Sequence, residues 1–148
     1  MRKYLVNSTY CIYLLDIGEF YSNEAIFTIK EVAEEIGHER GIELTVPLTQ
    51  TKKTSLQIKS HLLSNTDILL LQTAKAMDFI LVTDDQKIII EANRNGVHAL
   101  DTPHFIHRLL VENKWAEERA FNALNKLRSL YNRGYIIDKV IKDITNWR

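Results

Sequence analysis

The stretch FILVTDDQKIIIEANRNGVHAL, residues 79–100, limits the possible folds more than any other part of the chain. An apolar run ends in polar turn residues, an amphipathic segment follows, and Gly96 leads into a second short apolar run. Strand, helix and strand in that order predict two parallel strands, because a parallel pair needs a long crossover and a helix commonly supplies it. Both faces of such a sheet are buried under helices. The rest of the chain must therefore supply further strands and further helices.

The segments upstream and downstream can do so. The N-terminal apolar stretch reads as a first strand, and CIYLLD, residues 11–16, as a short buried strand closed off by Gly18. FTIKEVAEEIGHE reads as a helix whose Ile29, Val32, Ala33 and Ile36 form one apolar stripe, with Thr28 and Glu31 spaced as a capping box. IELTVPL, residues 42–48, is strand-like, TQTKKTS a polar loop, SLQIKSHLL a helix, and NTDILLLQTAKAM, residues 65–77, another helix. From Pro103 onward helices are expected near residues 103–112, 114–132 and 135–146, with Gly134 as the break. The expected fold is α/β: a three-layer α/β/α arrangement with a four- or five-stranded parallel sheet and a helical C-terminal extension.

Composition excludes some functional classes. A chain of 148 residues, 45% hydrophobic, suits one domain with a substantial core. We divide it into a core of residues 1–111 and an extension, 112–148, packed on the same domain. Nineteen basic and nineteen acidic residues cancel, so the molecule as a whole is no polycation. Charge is unevenly spread: the extension holds eight Lys or Arg against five Asp or Glu, a surplus of +3, which leaves the remainder at −3. Cys11 is the single cysteine, which rules out a disulfide framework and a thiolate zinc site and fits a reducing, cytoplasmic setting. The N-terminus lacks a small-residue cleavage pattern, and no apolar run reaches membrane-spanning length. A membrane is not an expected partner.

Sites in open parallel sheets form beyond the carboxyl ends of the strands. On the strand assignments above, Asp16 ends one strand, and Asp84 and Asp85 end another. Asp67 shares a helical face with Leu70, Leu71, Ala74 and Met77, and Glu35 flanks the stripe beside Val32, whereas Glu34 turns further away. Each acid also has a structural explanation: Asp84 or Asp85 as a helix N-cap, Asp67 as a first-turn acid facing the macrodipole, Asp16 as a turn residue, Glu35 as a solvated side chain. Together they make the oxygen-rich set that magnesium or manganese selects.

The segments YLLD, TIKEVAEEI, SNTDILLLQTAKAM and ILVTDDQKIIIEANRNGV, across residues 10–110, resemble those of the PIN-domain nucleases. The spacing from Asp16 to Glu35 is more similar to the archaeal ribosome-assembly endonuclease branch than to longer-looped toxins of the VapC type. The resemblance implies a Mg2+- or Mn2+-dependent endoribonuclease. Asp16, Glu35, Asp67, Asp84 and Asp85 would be its catalytic acids; Asp16, Asp67, Asp84 and Asp85 would be metal ligands, and Thr83 a supporting hydroxyl. RNA is the implied partner, with an antitoxin protein or a second copy in a homodimer as further candidates. Gly18 stands where the family often has a small polar residue, and the zinc ribbon of the ribosome-assembly branch cannot be built. Gly18 and the zero net charge favour the alternative, a catalytically weak RNA-binding or ribosome-assembly module.

Lys52, Lys53, Arg119 and Arg128 are candidate RNA contacts, and Trp115 and Trp147 are aromatics able to stack on bases. In the extension, Phe121, Leu124, Leu127 and Leu130 read as a face that covers apolar surface. His104 and His107 are spaced i, i+3 without an evident third ligand.

Overall fold

The computed structural model describes residues 2–147, apart from the side chain of Trp147, whose expected stacking role thus lies outside the described residues. Its elements are β1 (Tyr4–Val6), α1 (Ser8–Asp16), β2 (Ile26–Phe27), α2 (Lys30–Arg40), α3 (Asn65–Met77), β3 (Ile80–Val82), α4 (Gln86–Arg94), β4 (Ala99–Leu100), α5 (Thr102–Val111), α6 (Glu117–Leu127) and α7 (Gly134–Trp147). The fold is α/β, with a four-stranded, wholly parallel sheet in the order β2-β1-β3-β4. Tyr4 lies opposite both Ile26 and Ile80, and Leu81 opposite Ala99.

That order explains the layers. From β1 the chain steps one way to β2, then returns past β1 to β3 and on to β4. Right-handed crossovers then lay α1 on one face and α3 and α4 on the other. Tyr10 of α1 meets Phe105 of α5 edge-on at 5.3 Å between ring centres, and Tyr13 meets Tyr131 at 5.3 Å, so α5 and the α6–α7 turn join the α1 side. The C-terminal helices pack on α5, burying Ala120, Ala123, Leu124 and Leu127 of α6 and Ile137, Val140 and Ile144 of α7. Each large aliphatic so buried contributes about 1.5–3 kcal/mol. Among the described residues no helix is long and apolar enough to cross a membrane.

Four local expectations are corrected. Residues 11–16 are the second half of α1, not a strand: Asn7 caps that helix by accepting from Ser8 N at 2.7 Å, and Tyr10, Cys11 and Leu14 bury one helical face. Residues 42–48 contribute only an isolated bridge between Thr28 and Leu48. Residues 50–60 form an extended strap rather than a helix, tied side chain by side chain to α3 and α4. Thr28 and Glu31 make no capping box, because Ile29 is the N-cap residue of α2 and the Thr28 hydroxyl instead donates to the Val6 carbonyl at 2.8 Å.

Candidate functional site: the carboxyl rim of β1 and β3

Strand order reverses direction between β1 and β3, and in open α/β sheets the crevice at such a switch point is where ligands bind. The chain leaves β1 through Asn7, Ser8 and Thr9 and leaves β3 through Thr83, Asp84 and Asp85. The two turns are stitched together. Asn7 Nδ2 donates to Thr83 Oγ1 at 3.0 Å, and Asp84 N donates to Thr9 Oγ1 at 3.0 Å. Thr83, fully buried, also accepts from Asp85 N at 3.3 Å.

Asp84 is the best-connected acid of this rim. Its side chain is 8% exposed. Oδ1 accepts from Thr102 N at 2.8 Å and from the Tyr131 hydroxyl at 2.5 Å, while Oδ2 accepts from Thr102 Oγ1 at 2.5 Å. Arg133 Nη2 donates to the Asp84 carbonyl at 2.9 Å and to the Tyr131 oxygen at 3.2 Å. Burial raises the Asp84 pKa above the usual carboxylate range, against the lowering effect of the Thr102 and Tyr131 bonds, and nearby Asp101 adds to the rise. The same environment acts on the phenol: burial and then the Asp84 charge push the Tyr131 pKa well up. Asp84 therefore ties the end of β3 to the start of α5 and to the α6–α7 turn.

The remaining acids are distributed differently. Asp85 is the N-cap of α4, accepting from Lys87 N at 2.9 Å. Asp67 closes a capping box with Ser64 at the start of α3, accepting from Ser64 N at 3.0 Å. Glu35 is exposed on α2; partial burial raises its carboxyl pKa, with Glu39 and Asp67 adding repulsion and a Ser8 hydrogen bond opposing it. Glu34 pairs with Lys30 at 3.6 Å on the solvent side. Asp16 is a correction: it ends a helix, about 12 Å along the α1 axis from the rim at 1.5 Å per residue, and pairs with Arg40 at 3.2 Å in an exposed ion pair. The residue that directly follows β1 is Asn7, a neutral amide.

These residues do not fit a divalent cation as arranged. Among the described residues no group of three or more His, Cys, Asp or Glu side chains is positioned to hold a metal ion. Both Asp84 oxygens carry donors, Asp85 and Asp67 cap their own helices, and Asn7 brings no charge. His104 is engaged elsewhere, its Nδ1 2.6 Å from Asp101 Oδ1.

Of the candidate RNA contacts, Lys52 and Lys53 are exposed on the strap. Arg119 pairs with Glu19 at 3.2 Å and stacks over the buried Trp115, 4.1 Å from the ring centre, so both are internal contacts. Arg128 pairs with Asp138. Sequence reasoning missed Asn7, Thr102, Tyr131 and Arg133. Asn7 was accessible to it, since it directly follows the YLV strand. Tyr131 and Arg133 reach Asp84 across more than forty positions and leave no local trace.

No protein-family model matches the chain, and no curated protein matches it.

Proposed function

We propose that this chain is a PIN-like RNA-binding module that keeps the α/β scaffold of a metal nuclease with little or no turnover. One observation carries the proposal: at the switch point, the strand-end position that should present a carboxylate is Asn7, and the Asp84 carboxylate opposite is taken up by Thr102 and Tyr131. A hydrolytic metal site must hold its ion through several unengaged carboxylates and leave a position for water. Here Asp67, Asp84 and Asp85 secure helices and turns instead. RNA would meet the chain through exposed cations such as Lys52 and Lys53, whose phosphate contacts are independent of sequence.

A second reading, metal-dependent endoribonuclease, has its own support in Glu35, an exposed carboxylate whose pKa is raised by partial burial, by Glu39 and by Asp67, an acid of a distant segment. A fluorescently labelled single-stranded RNA separates the two. The module reading expects binding that weakens with salt, persists in EDTA and falls in Lys52→Ala/Lys53→Ala, with the RNA left intact in Mg2+ or Mn2+. Cleavage that requires Mn2+ and is lost in Glu35→Gln and Asp85→Asn would establish the nuclease reading in its place. An antitoxin or homodimer partner would be sought by co-purification and sedimentation.

A further inference from the structure

A cavity of about 640 Å³ opens at the opposite, amino-terminal edge of the sheet, where the chain enters β1, β3 and β4. Its size falls in the range of roughly 300–1,000 Å³ typical of small-molecule sites. Arg2, Lys3, Lys75 and His98 line it together with Asn95, and Asp78 is the one carboxylate in the wall. Three permanent cations and a histidine thus face a single acid. Among the described residues, Arg2, Lys3 and Lys75 have no carboxylate within ion-pair distance.

A structural explanation covers only part of this set. Lys75 lies in the last turn of α3, where a cation suits the negative end of the helix dipole, and its Nζ donates to the Ser55 carbonyl at 3.2 Å. Arg2 and Lys3 precede a strand and have no helix end of their own to complement. Lys3 is held in position, its ammonium 5.8 Å and 5.9 Å from the centres of the stacked Phe27 and Phe79 rings. Burial lowers the His98 pKa first, Arg108 lowers it further, and Arg2 of the cavity wall adds to the fall.

We propose that this cavity binds a free nucleotide bearing two or more adjacent phosphates, with Arg2, Lys3 and Lys75 on the phosphates and Asp78 on the sugar. A cationic wall with a lone carboxylate fits such a ligand. The cations match the phosphate charge, while a carboxylate accepts from sugar hydroxyls and repels a bare phosphate. The volume exceeds what an inorganic phosphate would fill. The site lies across the sheet from the carboxyl rim and is independent of the RNA-binding proposal.

Calorimetric titration of the full chain with ADP, pyrophosphate and adenosine tests it. ADP is expected to bind, adenosine not to bind at the same concentrations, and Arg2→Ala and Lys3→Gln each to weaken ADP by about tenfold, the equivalent of one lost charged contact. Lys139→Ala, on α7, is expected to change nothing. Because Lys3 also rests on two rings, thermal melts accompany each variant, and if Lys3→Gln destabilises the fold the exposed Arg2→Ala carries the comparison. The His98 imidazole, followed by NMR, is expected to titrate at higher pH with ADP bound, since added anionic charge favours the imidazolium. The proposal is overturned if ADP fails to bind at millimolar concentration, if Arg2→Ala binds it as tightly as the parent, or if the His98 titration does not move. RNA lacking terminal phosphates that binds through Arg2 and Lys3 while ADP does not would also overturn it, and would leave the RNA-binding proposal standing.

Discussion

Removing one oxygen, in Tyr131→Phe, isolates the contact that closes the carboxyl rim. The phenol donates to Asp84 Oδ1 at 2.5 Å and sits 6% exposed, so water cannot readily replace it. A hydrogen bond to a charged acceptor is worth about 1.5–3 kcal/mol. For a chain near this length, a loss of about 2 kcal/mol lowers Tm by roughly 6–8 °C. The loss should depend on pH with a definite sign. The Tyr131 bond favours ionised Asp84 and so offsets part of the rise that burial imposes on its pKa. Its removal raises that pKa further, so the variant pays most where Asp84 must stay ionised and least where it can take up a proton. Thermal melts at pH 8 and near pH 4 are therefore expected to give a larger Tm difference at pH 8. Equal differences at both pH values, or no difference at pH 8, would refute the idea that Tyr131 stabilises a buried carboxylate.

Three further outcomes follow from the same contacts. Asp16→Asn is expected to leave RNA binding unchanged and to cost under about 1 kcal/mol in a urea melt, because its pair with Arg40 is exposed; a large loss of binding would return Asp16 to the site. Glu91→Gln is expected to loosen the strap, since its carboxylate accepts from Lys59 N, Ser60 N and Arg94, bonds that outweigh burial and lower its pKa; cleavage by a limiting protease within residues 50–60 should accelerate, and an unchanged digestion pattern would contradict this. The Asp101 bond holds the His104 pKa above its ordinary value, so the pair stabilises the fold fully below pH ~6.5 and loses that contribution as pH rises through the raised value. Asp101→Asn, which keeps an acceptor for the α5 cap, should thus destabilise more at pH 5.5 than at pH 8, as followed by melts and His104 NMR titration.

Which parts of this fold could be read from the sequence depended on how local their causes were. Helix α3 spans Asn65–Met77 as expected, because Ser64 and Asp67 form a reciprocal capping box and the apolar face is continuous. The βαβ unit of β3, α4 and β4 likewise carries its own turn signals, from Asp85 as N-cap to Gly96 in the left-handed region at φ +72°. CIYLLD misled because a short, uninterrupted apolar run fits a buried helix as well as a buried strand. The decisive signal lay upstream, in the Asn7 cap that ends the YLV strand and starts α1. In the strap, Leu56, Ile58 and Ser60 alternate inward with period two, an extended pattern that a helical reading overlooked. The rim depended on the longest-range information: Thr102, Tyr131 and Arg133 converge on Asp84 only once the C-terminal helices have docked.

The most direct test of the central claim, an RNA-binding module whose carboxyl rim holds no working metal centre, is one time course. Structured and single-stranded RNA are incubated with the full chain in Mn2+, Mg2+ and EDTA, with bound and cleaved fractions read from the same samples. The account predicts bound, intact RNA in all three conditions, and it predicts that Asn7→Asp alone will not produce cleavage while Tyr131 and Thr102 still hold Asp84. Mn2+-dependent cleavage by the parent chain, abolished by EDTA and by Glu35→Gln, would contradict it.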